Sequence, residues 1–337
     1  MESGGMALHA IDDVSDAFRV TRRFLTPFDA RRWLKLALVA LFVGGGVSSP
    51  TVQSNVSSGS EQVPAEELPA TIPGDVLGLV VAAVALAVVL ALVFGIVGSI
   101  MEFVLVESLR SGEVTVRRYW RRRWRQGLRL FGFRVAIGLP VLGLFLAWLA
   151  LFLGPLVFDA GGQVASVGVF LLGLPVLVLV GVLYALVSGF TTVFVVPLMI
   201  QRDSGVLAGW RRLWPSVRSE WQQYLAYAVV SFLLTVGLGF VVSLAVGLGA
   251  LVVAVPFAIV GAVVYLTLSA SSTVGLVLLG LVAVLFALAL VVLWALVQVP
   301  VVTYLRYYAL LVLGDIEPAF DIIPERREAA RSGEDPE

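Results

Sequence analysis

The chain has 337 residues, 59% hydrophobic and 14% charged, with a formal net charge of +0 and a mean hydropathy of +0.99. Soluble domains carry roughly 45–50% apolar and about 25% charged residues, so this composition specifies an integral membrane protein. The absence of cysteine removes disulfides, thiolate nucleophiles and cysteine-held metals, and a lone histidine, His9, removes any His-pair metal site. Neither a metal nor a cofactor is implied, and the zero net charge gives no electrostatic argument for nucleic acid.

In chain order, Met1–Gly5 reads as a loose extension before a second candidate start at Met6. Met1–Thr26 has no continuous apolar core, so no cleavable signal peptide is expected. Leu8, Ile11, Val14, Phe18 and Leu25 form a weak helical stripe that Thr26-Pro27 ends, and Asp29 is placed to cap the next helix. The apolar run Leu34 to Val47 covers about 21 Å, short of a ~30 Å hydrocarbon core, and stops at Gly44–Gly46 and Ser48-Ser49-Pro50. Residues 48–75 are rich in Ser, Thr and Pro, carry Glu61, Glu66, Glu67 and Asp75 without a base, and read as an outer loop. Asn55-Val56-Ser57 within it is a glycosylation acceptor pattern. Longer apolar runs follow at 76–105, 130–157, 167–200, 223–267 and 274–302, with outer turns at Asp159–Gly162 and Ser269–Thr273. Gly237, Gly239, Gly247, Gly249 and Pro256 predict one bent or broken helix over 223–267.

The 23 basic residues fall into four clusters, Arg19–Lys35, Arg110–Arg134, Arg202–Arg218 and Arg306–Arg331. Basic loops stay on the cytoplasmic side, so an even number of spans separates each cluster from the next. Six spans in the cell membrane, with both termini cytoplasmic, satisfy this most simply. Lys35 is the only lysine in the chain, a bias that suits a GC-rich genome and a salt-loving archaeon.

Arg22-Arg23, Arg117-Arg118 and Arg211-Arg212 each precede a span at intervals of about 95 residues. The expected fold is therefore all-α, with six transmembrane helices arranged as three parallel helical-hairpin repeats in a single membrane domain. The repeats run over approximately 6–109, 110–202 and 203–313, followed by a cytoplasmic tail, 314–337. Each begins with an amphipathic inner helix. In the second, Val116, Trp120, Trp124 and Leu128 recur every fourth residue among eight arginines between Arg110 and Arg129. In the third, Leu207, Trp210, Trp214, Val217, Trp221 and Tyr224 follow helical spacing, with Pro215 expected to bend or restart the helix.

Arg-rich helices with a Trp face suit the headgroup level, with arginines on anionic lipid phosphates. The lipid-headgroup candidates are Arg117, Arg118, Trp120, Arg121 and Trp124 in the second repeat, and Arg211, Arg212, Trp214 and Trp221 in the third. The same residues also serve as plain topology anchors, while adjacent spans leave little room for RNA. Charge at membrane depth is costly. Glu102 and Arg134 close and open antiparallel spans at similar depth and are expected to pair. Glu107 lies near the interface, Asp159 and Asp315 are read as helix caps, and Gln298 beside Pro300 as an interhelical contact or a cavity wall. No P-loop, Gly-x-Ser-x-Gly or His-Glu-x-x-His pattern occurs, so no enzyme is expected.

Several segments carry a resemblance: Ala7–Asp13, Phe24–Asp29, Glu102–Val104, Glu107–Arg110, Arg129–Arg134 and Leu310–Asp315. Together they resemble an uncharacterised multi-pass membrane family of halophilic archaea, a domain of unknown function, over nearly the whole chain. More loosely, Pro197 to Trp221 looks like the membrane domain that accompanies some bacterial glycerophosphodiester phosphodiesterases, without their catalytic domain. Neither resemblance supplies site residues. The leading expectation is a non-enzymatic protein that organises or senses the cytoplasmic leaflet. A transporter of a small solute or lipid is the alternative, and protein partners are not specified.

Overall fold

The computed structural model describes residues 9–43, 74–157, 162–268 and 272–332, and their regular structure is entirely helical. Asn55, the outer loop from 48 to 73, Asp159 and the start at Met1 or Met6 lie outside them. The helices are α1 (His9–Leu25), α2 (Ala30–Val43), α3 (Gly74–Ser111), α4 (Val116–Val157) and α5 (Gly162–Phe190). A π-helical turn, Thr191–Val195, leads into α6 (Val196–Arg202), followed by α7 (Val206–Ser219), α8 (Trp221–Leu268), α9 (Thr273–Ile316) and, past a short 3₁₀ turn, α10 (Pro324–Ser332).

Five stretches are long and apolar enough to cross a membrane: Gly78–Ser111, Val116–Gly154, Val167–Arg202, Trp221–Leu268 and Thr273–Ile316. Their most apolar windows are almost entirely unburied by protein. Such surface is stable only in a lipid solvent. The shorter α2 has 14 residues, about 21 Å of helix. Its start follows the sequence expectation: Thr26-Pro27 ends α1, and Asp29 Oδ1 accepts from the Arg31 N–H at 2.9 Å.

The protein core lies at one end of the bundle, where the long helices carry their polar residues. Phe103 and Leu109 of α3, Phe194 in the π turn, Met199 of α6, Tyr224 of α8 and Tyr307, Tyr308 and Leu311 of α9 are all buried there. Rings interlock, with Phe194 4.8 Å from Tyr227 and Tyr227 stacked at 5.4 Å on Tyr308. α1 lies against α9, and the Tyr304 hydroxyl donates to Val14 O at 3.3 Å. α3 and α4 approach closely at Gly127, where a Cβ would sit 2.8 Å from Ile100 Cα.

The region 223–267 lies in one helix rather than two, as the sequence predicts, although no break falls in it: α8 continues over 48 residues through Pro256. The glycines weaken helix propensity, but burial in lipid leaves backbone groups no alternative to helical bonding. The Arg/Trp stretch 116–129 is not a separate inner helix but the first turns of α4. In the third unit the break falls at Glu220, with φ −114° and ψ 35°, while α7 continues through Pro215. Trp221 and Tyr224 therefore belong to α8 rather than to the same helix as Trp214.

Candidate functional site

Among the described residues, three ion-pair centres and a basic groove occupy the polar end. The first centre surrounds Glu102 of α3, which is 4% exposed. Arg134 Nη2 lies 3.6 Å from Glu102 Oε1, as the sequence predicts, and Arg306 of α9 pairs with Oε2. Arg134 also donates to Ser99 Oγ at 3.3 Å and Thr192 Oγ1 at 2.8 Å.

The π turn explains what else Arg306 does there. The Val196 N–H reaches back to Thr191 O, one residue beyond its α-helical partner. Pro197, next along, has no N–H. The Thr192 carbonyl thus loses both backbone donors that could serve it, and Arg306 Nη1 donates to it at 3.0 Å. A buried carbonyl without a donor is costly, so Arg306 neutralises a charge and completes a helix at once. By sequence Arg306 belongs to the last basic cluster, Arg306–Arg331. The signal that would have separated it is its position in the apolar run Val299–Leu313, twenty residues before Arg326.

The second centre is Arg123 of α4, 4% exposed. It bridges Glu107 Oε2 at 3.3 Å and Asp203 Oδ1 at 3.1 Å. Gln126 Nε2 donates to the same Asp203 oxygen at 3.0 Å and to Met199 O at 3.1 Å. Asp203 ends α6 in the left-handed region at φ 51°, which Asp tolerates better than most residues. α3, α4 and the end of α6 are thereby joined through one guanidinium.

The third centre joins the two ends of the described chain. Arg331 of α10 pairs with Asp13 and Asp16 of α1, each at 3.2 Å, and with Asp315 of α9. Arg327 holds Asp315 at 3.0 Å and Asp321 at 2.8 Å. Asp315 is therefore an ion-pair hub rather than a simple helix cap. Asp13 is fully buried. Burial and the adjacent Asp315 carboxylate push its carboxyl up to about 7, against the opposing pull of Arg331.

The Arg/Trp candidates divide by helix face. On α4, Tyr119, Arg123, Gln126 and Leu130 face the protein, while Trp124 is 42% exposed and Trp120 half-buried. On α7, Val206, Gly209 and Leu213 are buried, whereas Trp214 is 57% exposed. Trp221 at the start of α8 is also exposed. Trp210 is held by Thr191 Oγ1 at 2.9 Å. Arg212 lies over the Phe320 ring at 5.1 Å, so the tail engages it. Arg117, Arg118, Arg121 and Arg211 are exposed. Three of these, with Arg122 and with Lys35 of α2, line a groove of about 890 Å³ at the N-terminus of α4. Gln298 is half-buried in α9.

No curated protein and no solved structure matches the chain. A sequence family described only as of unknown function matches residues 8–323, and by that match across almost its full length the chain belongs to the DUF7544 family.

Proposed function

We propose that this is a non-enzymatic polytopic membrane protein whose Arg/Trp segments organise or sense the cytoplasmic leaflet. The observation that carries the reading is the outward set of Trp124, Trp214 and Trp221 beside exposed Arg117, Arg118, Arg121 and Arg211. Aromatic rings and guanidinium groups together suit the headgroup layer of an anionic leaflet. The four basic clusters support six spans, with α2 as the shortest and both termini cytoplasmic in a cell membrane. The Arg-Arg spacing of about 95 residues supports three parallel repeats over 6–109, 110–202 and 203–313. The scarcity of lysine fits a salt-loving archaeal host, and the Trp-Arg-Arg pattern of α7 is the one link to the phosphodiesterase-associated membrane domain.

Brominated lipids test the reading in the full-length reconstituted protein. At equal mole fraction, brominated phosphatidylglycerol should quench tryptophan emission more than brominated phosphatidylcholine. Replacing Trp124, Trp214 and Trp221 with Phe should remove the difference. Equal quenching by both lipids in the wild type overturns the proposal. A transporter is the second reading, favoured by the Glu102 centre beside a π turn, since such turns recur at functional sites. Solute flux in proteoliposomes would decide for it.

A further inference from the structure

The groove at the start of α4 has a more specific chemistry than its surroundings. Its charged walls are Lys35 of α2 and Arg117, Arg118, Arg121 and Arg122 of α4, with no carboxylate among them. Arg117, Arg118 and Arg121 make no ion pair among the described residues. Arg122 reaches Glu107 only at 4.0 Å, and Lys35 Nζ makes a single 3.4 Å bond to Val114 O. Five cations thus converge with almost no internal compensation. Val116, Arg117 and Arg118, the first residues of the 42-residue α4, line the groove, so the helix N-terminus lies at its wall. Thr115 Oγ1, in the groove lining, is buried without a hydrogen-bond partner. A smaller cavity of about 270 Å³, where Asp29 and Glu113 lie, adjoins it through Lys35 and Thr115. The acidic groups are thus set to one side of the main groove.

Lys35 follows Leu34, an exposed apolar residue of α2, so the groove opens beside the apolar run of that helix. Trp120 and Trp124, on the same turns of α4, place an apolar surface next to it. A ligand is required that brings concentrated negative charge at one end and hydrocarbon at the other. We propose that the groove binds the terminal phosphate of a phosphomonoester lipid headgroup, one lipid per chain. A monoester phosphate carries about −1.5 to −2 charge and three acceptor oxygens near pH 7, matching several guanidinium donors at once. A choline or ethanolamine headgroup would bring an ammonium into a cavity with no carboxylate to receive it. The proposal rests on the leaflet reading above and narrows it to one site and one headgroup class.

Native mass spectrometry of the full-length, detergent-purified protein tests it, with phosphatidic acid, phosphatidylglycerol and phosphatidylcholine as probes. The wild type should retain one phosphatidic acid about tenfold more tightly than phosphatidylglycerol, a difference of about 1.4 kcal/mol. Arg117→Gln with Arg121→Gln should abolish that preference, and Lys35→Gln should weaken it. Arg202→Gln, an exposed arginine away from the groove, should leave it intact. Matching melting curves for the variants would show that the fold survives. If any of them unfolds, Lys35→Arg is the second measurement, and it should keep the preference. Competition by millimolar inorganic phosphate would identify a soluble-anion site and overturn the lipid assignment. Preference for both anionic lipids over phosphatidylcholine, unchanged in the Arg117/Arg121 variant, would overturn the groove and leave the leaflet reading standing. Loss of all anionic preference in the wild type would remove both.

Discussion

Glu102 of α3 and Arg306 of α9, 204 residues apart in sequence, share a buried ion pair that also serves the π turn after α5. Two guanidinium groups meet one carboxylate there, because Arg134 lies 3.6 Å from the other oxygen of Glu102. The carboxylate is the shared member, so its removal leaves two cations uncompensated. Glu102→Gln should destabilise the protein more than Arg134→Gln. Breaking a buried pair from one side costs roughly 3–5 kcal/mol. The double variant Glu102→Gln/Arg134→Gln should recover only in part, since Arg306 still lacks its partner, whereas Glu102→Gln/Arg306→Leu leaves the Thr192 carbonyl without a donor. Thermal unfolding of the purified variants in detergent checks the order. Full recovery in the Glu102→Gln/Arg134→Gln variant would show that Arg306 contributes little.

The second carboxylate centre depends on geometry more than on charge. Arg123 spans Glu107 and Asp203 with separate nitrogens, Nη2 and Nη1. A lysine ammonium is a single point and cannot hold both at these distances. Arg123→Lys should therefore lower the melting temperature nearly as far as Arg123→Gln, by a loss of about 3 kcal/mol. Asp203→Asn, which keeps an acceptor and tolerates the left-handed backbone, should cost less than Asp203→Leu. Full rescue by lysine would show that simple charge neutralisation is what this site needs.

The parts legible in the sequence are those fixed by local pattern. Apolar run length marks the five long helices, and Thr26-Pro27 with Asp29 marks the junction of α1 and α2. The Glu102–Arg134 pair follows from two charges at matched depth on consecutive antiparallel helices. Arg306, Arg123 and Asp315 were not legible, because each owes its role to partners brought in by tertiary packing. Arg123 sits in a run with Arg121 and Arg122, and only helix phase separates the buried member from the exposed ones. The break at Glu220 rather than at Pro215 has a similar origin. A proline ten residues into α7 loses one backbone bond, and the Glu220 N–H still closes the helix on Ser216 O.

Asp13 makes the clasp between α1 and α10 sensitive to pH. Its neighbours Asp16, Asp315 and Asp321 are balanced by Arg19, Arg327 and Arg331. A neutral Asp13 leaves that group without net charge, and an ionised one adds a surplus negative charge in a fully buried position. Its folded-state value of about 7 lies above the ordinary 3.8. The folded protein therefore holds the proton more tightly than the unfolded chain. The stability so contributed is fully present below about pH 3.8 and is lost as pH rises through about 7. Protection of α10 amides from hydrogen exchange should fall between pH 5 and 8, beyond the intrinsic exchange trend. Asp13→Asn should flatten that dependence and keep α10 docked at pH 8. A wild-type profile that is flat, or that rises with pH, would show that Asp13 stays ionised across the range.

α3 and α4 approach closely at Gly127, and its substitution separates packing from electrostatics. A Cβ there would stand 2.4 Å from Ile100 Cγ1 and 2.8 Å from Ile100 Cα. The first clash is with a side chain that can be shortened, and the second is with backbone that cannot. Gly127→Ala gains helix propensity of about 1 kcal/mol, yet overpacking of this kind costs about 1–3 kcal/mol, and the two helices must part to admit the methyl. Arg123 lies one turn before Gly127 on α4, so parting the helices also lengthens its bridge to Glu107. The net effect should be a lower melting temperature despite the better helix former. Ile100→Ala combined with Gly127→Ala should recover part of the loss, since it removes Cγ1 but leaves Cα in place. Complete recovery would mean that the side chain alone sets the contact. A Gly127→Ala variant as stable as the wild type would mean that α3 and α4 do not approach this closely in the membrane.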